Sequence, residues 1–283
     1  MGEVILGGEA VAAGRVTRHE LGRWYAPLYR GVYVRKGSEV TLRDRAIGAW
    51  LASRRKGTIT GVAASALHGA QWVDPTVPIE LLGVKIRAQD GLIPRTERVR
   101  EDEITRVAGL PVTTRVRTAF DLGRHLDRVD ALARLDALMW NDRFSTDEVL
   151  ALANRYPRAR GVGQLRELLP LVDGGAESPR ETRIRLLLHD NGFPRPETQI
   201  AVLVGPRPAA WLDLGWPDYK VAVECDGDPG GHRRDRKQYV KDVARLRMLE
   251  ALGWIVIRVV AEDPPRHVIA RVEAALVSRD LAA

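Results

Sequence analysis

The residues best placed to do chemistry lie in the run VAVECDGDPGGH (221–232). A strand-like start at Val221, Ala222 and Val223 leads there into Glu224, Asp226 and a glycine-rich turn. Side chains alternate along a strand, so Glu224 and Asp226 share one face. Two carboxylates at the end of a buried strand repel each other, and a divalent cation is the usual candidate to offset that repulsion. A third carboxylate joins them. WLDLGWP (211–217) reads as the preceding strand, and a hairpin turning at Pro217–Asp218 puts Asp213 opposite Glu224, about 5 Å away across the ladder. Asp213, Glu224 and Asp226 on one face suit Mg²⁺ or Mn²⁺ with some waters retained.

The elements that must position these residues follow from the flanking pattern. SPRETRIRLLLHDNG (178–192) has Ser178 at an N-cap, proline at the first helical position, Glu181 at the third and Gly192 past the end, the signature of a capped helix. TQIAVLV (198–204), WLDLGWP and YKVAVECD (219–226) read as strands, with a turn at the PRP of 206–208. RKQYVKDVARLRMLEAL (236–252) reads as a long helix stopped by Gly253, WIVIRVV (254–260) as a strand buried on both faces, and HVIARVEAAL (267–276) as a closing helix. The strand–helix–strand unit at 219–260 is expected to be a right-handed crossover, which makes part of the sheet parallel.

Taken together, ESPRE (177–181), WLDLGWP, VAVECDGDPGGH and LEALGWIVIRV (249–259) resemble the PD-(D/E)XK nuclease superfamily, more narrowly the group related to the very short patch repair endonuclease. The resemblance covers about residues 177–277. It implies hydrolysis of a DNA phosphodiester at a divalent-metal site, by in-line attack of a metal-bound water. Asp213 and Glu224 then match the metal-binding carboxylates, and Glu181 the helical acid that completes the site. Asp226 stands where the superfamily has lysine, so the water-activating cation must come from elsewhere: Lys237 or Lys241, or His232 as general acid or base. The glycine-rich loop before His232 is a second departure. Each role has a plainer competitor. Glu181 is also the third residue of a capping box, Asp226 opens a DG turn, His232 is equally a solvated loop histidine, and RRDRK (233–237) is either a phosphate grip or a solvated helix start. Asp213 and Glu224 have the least room for such a reading, because charged residues in apolar strands rarely lack a partner. Cys225 alternates to the opposite face and reads as a core residue.

Near the other end, Thr17 and Glu20 form a capping-box pattern ahead of a basic hairpin, APLYRGVYVRKG (26–37), and Ala10–Ala13 is a short helix ending at Gly14. Helix, turn, helix and hairpin resemble a winged helix-turn-helix, whose cations here are Arg18, Arg23, Arg30, Arg35 and Lys36. Further helices are expected at 41–55, 61–72, 112–126, 127–140, 145–154 and 161–172, with a strand at 78–84 and more antiparallel strands up to about residue 110. TRHELGRWYAPLYRGVYVRKG (17–37), ASALHGA (64–70) and GLPVTTRVRTAFDLGR (109–124) resemble the AbiEi-type antitoxin and regulator group of type IV toxin–antitoxin systems. That resemblance implies a DNA-binding winged helix and no catalytic residues.

Bulk properties set the remaining expectations. The 283 residues carry 45% hydrophobic and 29% charged side chains, an ordinary soluble composition. The apolar runs are far short of a membrane span, and the first residues lack the pattern of a signal peptide, so a cytoplasmic protein is expected. The single cysteine excludes an internal disulfide and a multi-thiolate metal site. Residues 1–175 hold 27 Lys+Arg against 21 Asp+Glu, and residues 176–283 hold 17 against 16, so most of the net charge of +7 lies in the N-terminal part. That balance favours an anionic partner, DNA above all, although arginine-rich surfaces also occur without one.

The expected architecture is α/β, α+β overall. It comprises a winged-helix unit (1–37), an α+β middle domain (38–175) and a nuclease-like mixed sheet flanked by helices (176–283), with DGGAESP (173–179) as linker. The function this implies is a Mg²⁺- or Mn²⁺-dependent DNA endonuclease, in repair or defence, whose DNA-binding residues are the five N-terminal cations with Arg233, Arg234, Lys237 and Lys241. The alternative is a non-catalytic DNA-binding regulator or antitoxin on an inactive nuclease fold, favoured by Asp226 in place of lysine. An RNA-directed nuclease is a third reading, and a homodimer is compatible with all three.

Overall fold

A computed structural model describes residues 3–226 and 236–279; His232, Arg233 and Arg234 lie outside the described residues. The chain is mixed α/β and forms two compact units, residues 1–172 and 173–283. The division falls at the start of the expected linker.

The first unit opens with β1 (Val4–Leu6), α1 (Gly7–Ala12), α2 (Arg18–Trp24), β2 (Tyr25–Tyr29) and β3 (Val32–Arg35). The capping box at α2 is present: the Thr17 hydroxyl accepts from the Glu20 N–H at 3.1 Å, and the Glu20 carboxylate accepts from the Thr17 N–H at 2.8 Å. The three strands pair antiparallel in the order β1-β3-β2, so β1 adds a third strand to the expected hairpin. After α3 (Leu42–Ala52) come β4 (Thr58–Thr60), α4 (Gly61–Leu67), β5 (Ile79–Leu82), β6 (Leu92–Arg95), β7 (Ile104–Val107) and β8 (Leu110–Thr113), then α5 (Arg115–His125), α6 (Arg128–Asn141), α7 (Thr146–Arg155) and α8 (Val162–Leu168).

The second sheet departs from expectation in two ways. Its order is β6-β5-β4-β8-β7, with β5 parallel to β6 and β4 parallel to β8. Turn-forming residues mark where the chain reverses; they do not say whether segment 83–91 carries it back to the start of the neighbouring strand, as it does here. The central strand β4 is three buried residues, too few for an alternation to be read. The expected boundary at residue 37 also fails. Tyr29 and Val32 of the hairpin share one core cluster with Ala46 and Ala49 of α3 and with Ile59, Ile79, Leu81 and Val112 of the second sheet. Residues 1–37 and 38–172 therefore bury their apolar surface against each other, which is the main force holding any such unit together.

The second unit runs α9 (Pro179–Asp190), β9 (Glu197–Val204), β10 (Arg207–Trp216), β11 (Val221–Cys225), α10 (Arg236–Ala251), β12 (Ile255–Val259) and α11 (Pro265–Val277). The sheet order is β12-β11-β10-β9, and β11 and β12 are parallel as the crossover requires. Helices cover both faces: Leu214, Val221, Val223 and Ile257 pack with Ile184, Val268 and Val272 on one side, and Leu212, Ala222 and Ile200 with Leu249 and Trp254 on the other. Two turns differ from expectation. The PRP run is not itself the turn: β10 begins at Arg207, and Pro208 is accommodated at a register shift between Pro208 and Ala210, as a bulge allows. Pro217–Asp218 is not a two-residue hairpin either, but part of a single 3-10 turn (Pro217–Tyr219) closed by Lys220 at φ +48°.

Gly215 fixes how closely β10 and β11 meet. A Cβ there would lie 2.3 Å from the Val221 carbonyl oxygen and 2.8 Å from the Ala222 Cα. Gly215→Ala is expected to destabilise the second unit by about 1–3 kcal/mol through overpacking; chemical denaturation followed by tryptophan fluorescence measures it.

Candidate functional site

β10 and β11 pair Leu214 with Val223, Gly215 with Ala222 and Trp216 with Val221. One step further along the same register, Asp213 faces Glu224, as the spacing requires. There the ladder changes character: the Asp213 carboxylate accepts the Cys225 N–H at 2.7 Å. Asp213, Glu224 and Asp226 line one cavity of about 230 Å³, together with Asp242, Arg245 and Arg258. Glu181 stands beside Asp213 at the start of α9, and its carboxylate turns back to its own helix. It accepts from the Ser178 hydroxyl at 2.7 Å and the Glu177 N–H at 2.9 Å, while the Ser178 oxygen accepts from the Glu181 N–H at 3.2 Å. The structure thus brings Asp213, Glu224 and Asp226 to one cavity, with Glu181 adjacent to it. Cys225 packs against the core of this unit, and burial pushes its thiol up to about 12.

The charge compensation that the sequence left to a cation is supplied by arginines. Arg245 of α10 forks both oxygens of Glu224, one contact being 3.0 Å, and also donates to the Trp211 carbonyl. Arg258 of β12, the register partner of Glu224, pairs with Asp226. Arg180 donates to the carbonyls of Asp226 and Val259, tying the ends of β11 and β12 together. A bidentate guanidinium–carboxylate pair is strong and directional. A divalent cation bound by all three carboxylates would need the Glu224 and Asp226 oxygens that Arg245 and Arg258 hold, so in this arrangement the residues do not fit one. Lys241 is exposed and does not line the cavity; Arg245, one helical turn further along, is the α10 cation that does. Lys237 is described only as part of α10. Arg245 and Arg258 carried a visible signal, since a charged residue in the apolar run WIVIRVV is as anomalous as Glu224, and Arg245 lies one turn before the buried Leu249.

Two carboxyls keep a strained electrostatic position. Burial pushes Asp213 above the usual carboxylate range, the negative charge of Glu224 adds to it, and the Cys225 N–H and Arg245 oppose. Burial likewise pushes Glu181 from 4.5 to about 7, against the hydrogen bonds from Ser178 and Glu177. A carboxyl that holds its proton more tightly when folded makes stability fall as pH rises from the unfolded value to the folded one. The second unit is therefore expected to lose stability between pH 4.5 and about 7. Glu181→Gln should remove up to about 3 kcal/mol of that slope. Urea titrations across this pH range check it, and an unchanged slope in the variant would assign the effect to Asp213 or another group.

The basic N-terminal residues form a separate surface in the first unit. Helix α2 has no buried residue and exposes Arg18 and Arg23, with the Arg23 guanidinium 4.8 Å over the ring of Trp24. Arg35 is exposed on β3. Lys36 plays another part: its ammonium donates to the carbonyls of Gly22 and Arg23, at 2.9 and 3.1 Å, and so closes the C-terminal end of α2. Arg30, at the hairpin turn, lies on the wall of a cavity of about 490 Å³ completed by Arg54, Lys56, Lys85 and Arg87. Among the described residues no carboxylate lines it, and none of these five side chains forms an ion pair. Arg54 and Arg55 both take left-handed backbone conformations, φ +57° and +62°, closing α3 with N–H bonds back to Leu51 and Trp50. Glycine usually occupies such a position. Arg54, Lys56, Lys85 and Arg87 carry no joint signal in the sequence, because they sit in two short loops about thirty residues apart and only the second sheet unites them with the wing.

Residues 58–171 match the AbiEi antitoxin C-terminal domain. Over 252 residues the chain is 32% identical to the uncharacterized protein MT2308 of Mycobacterium tuberculosis (strain CDC 1551 / Oshkosh), and to the same extent to the uncharacterized protein Rv2248 of strain ATCC 25618 / H37Rv. Each match covers 86% of this chain and 86% of the relative.

Proposed function

Because the chain belongs to one family with these two mycobacterial proteins and carries an AbiEi antitoxin C-terminal domain, we propose that it is a DNA-binding regulator of the antitoxin kind. The observation that carries this reading is the carboxylate-free groove of Arg30, Arg54, Lys56, Lys85 and Arg87, which starts at the turn of the hairpin. Unpaired cations in a row neutralise phosphates and release their counterions, the sequence-independent part of DNA affinity. Helix α2, which has no buried residue and is followed by the hairpin, takes the place of the element that enters a major groove in helix-turn-helix docking. Arg18 and Arg23 are its candidates for base or phosphate contacts, and the groove continues the phosphate track. A toxin is the protein partner that the word antitoxin adds. The test is selection of bound sequences from a random duplex library by the full chain, followed by anisotropy titration of the selected duplex. Saturable binding that Arg18→Ala and Arg23→Ala weaken supports the reading; absence of selection overturns it.

The second reading, a Mg²⁺- or Mn²⁺-dependent DNA endonuclease using Glu181, Asp213, Glu224 and Asp226, draws its support from the raised titration of Glu181 and Asp213 at one strand end. Such perturbed carboxyls cluster at functional sites. It requires Arg245 to leave Glu224. Calorimetry with Mn²⁺ on wild type, Asp213→Ala and Arg245→Ala, with cleavage of duplex DNA assayed on the same samples, separates the two. Metal binding and cutting that Asp213→Ala abolishes favours the nuclease. Metal binding by neither wild type nor Arg245→Ala removes it.

A further inference from the structure

The helical side of the first unit holds a cavity of about 580 Å³ between α5 and the segment after α7. Its floor is aromatic. Phe120 and Tyr156 pack there with ring centroids 5.8 Å apart, and Tyr156 is held in place by donating its hydroxyl to Glu103 at 2.7 Å. Its rim is cationic: Arg98, Arg158 and Arg160 line it, all three are exposed, and among the described residues no carboxylate pairs with any of them. The arginines beneath are accounted for differently. Arg117 is bound to Asp121 and Glu103, and Arg124 to Asp121 and Glu97. These two arginines are taken up by three carboxylates, one of which, Glu97, also lines the cavity, and the cations without such a partner stand at the mouth.

The rim is built in advance. Arg124 donates to the Arg160 carbonyl at 2.9 Å, and Gly161, at φ +77°, approaches so closely that a Cβ would lie 2.3 Å from the Arg124 carbonyl oxygen. That contact pins the loop carrying Arg158 and Arg160 against α5. A small-molecule site is typically a largely preformed cleft of roughly 300–1,000 Å³, apolar inside with a few placed polar groups. Guanidinium is the cation whose planar fork matches phosphate oxygens in pairs. Phe120 is buried beneath the guanidinium groups of Arg117 and Arg124, so the partly exposed Tyr156 is the ring that offers a planar group an edge or face to stack on.

We propose that this cavity binds a nucleotide, with the base against Tyr156, behind which Phe120 is buried, and the phosphates on Arg98, Arg158 and Arg160. It is a small-molecule site separate from the cationic groove, and it does not depend on how DNA is bound. Neither half suffices alone: the floor has no charge left to attract an anion, and the rim has no wall to select a planar one.

The experiment is calorimetric titration of the full chain with AMP, ATP, GTP, adenosine and inorganic phosphate, one at a time, repeated on Arg158→Ala/Arg160→Ala. Both changed side chains are exposed and unpaired, so the variant is expected to keep the wild-type circular dichroism and melting curve. At least one nucleotide should bind one-to-one and saturate below the millimolar range. Adenosine and inorganic phosphate should each be about ten-fold weaker or more, and the variant should lose about ten-fold or more in nucleotide affinity. Absence of binding by every nucleotide overturns the proposal, and so does equal binding by wild type and variant. Inorganic phosphate binding as tightly as AMP would reduce the site to an anion hole and remove the base from it. Tighter binding of a single-stranded oligonucleotide through the same two arginines would replace the nucleotide with a nucleic-acid strand.

Discussion

Arg54→Glu combined with Lys85→Glu is expected to weaken binding to duplex DNA by about 100-fold at moderate salt, and to lower the slope of log affinity against log salt by about 2. Both residues line the groove that begins at Arg30, and neither forms an ion pair among the described residues, so the change removes phosphate contacts and adds repulsion without breaking an internal bond. Arg54 permits a sharper separation. Its left-handed backbone costs an L-residue roughly 1–2 kcal/mol, and a protein retains such strain where something outside the fold rewards it. Arg54→Gly should therefore raise stability by about 1 kcal/mol while lowering DNA affinity about ten-fold. Denaturation and anisotropy on the same preparation read both effects. A variant that is more stable and binds as well as wild type would take Arg54 out of the interface.

Arg117→Leu is expected to cost the first unit about 3–5 kcal/mol, because breaking one member of a buried ionic cluster leaves its partners uncompensated. Arg117 is buried with its donors on Asp121 at 3.0 Å, on Glu103, and on the Arg98 carbonyl at 3.1 Å. Asp121 in turn accepts from Thr60 at 2.7 Å and Arg124 at 2.9 Å. A total stability of about 5–15 kcal/mol makes such a loss a large share of the whole. Arg117→Leu with Asp121→Leu should recover part of it, since apolar replacement of both partners leaves less charge stranded. The melting temperatures of the single and double variants decide the matter, and a double variant less stable than Arg117→Leu alone would show that Asp121 is held mainly by Arg124 and Thr60.

This cluster also shows what could be read from the sequence. In VTTRVRTAFDLGRHL the apolar positions Val116, Ala119, Phe120 and Leu122 are legible; the last three are buried and Val116 is half-buried. Arg117, Asp121 and Arg124 are buried too, and their spacing of four and three residues on one helix was the available sign of an ion-paired interior. It went unread because charge on a helix is ordinarily taken as solvent-facing. In the second unit alternation and hairpin register sufficed to place Asp213 opposite Glu224, because a period of two and one turn determine who faces whom. Arg245 and Arg258 were visible as misplaced charges, but which carboxylate each would meet was not legible. Arg245 reaches Glu224 from α10 and Arg258 reaches Asp226 from β12, and those approaches exist only once helix and strands are packed. The same holds for the groove, whose cations come from the wing, the end of α3 and the loop after β5. Local patterns such as the Thr17 capping box were read correctly because they are complete within a few residues; the sites assembled from distant loops were not.

If duplex DNA is held through α2 and the cationic groove, the affinity of the wild-type full chain for the selected duplex must depend steeply on salt. With the groove's five cations and Arg18 and Arg23 engaged, log affinity should fall against log salt with a slope of about −6. A flat dependence, or no saturable binding at low salt, would contradict the claim and leave the groove without a nucleic-acid role.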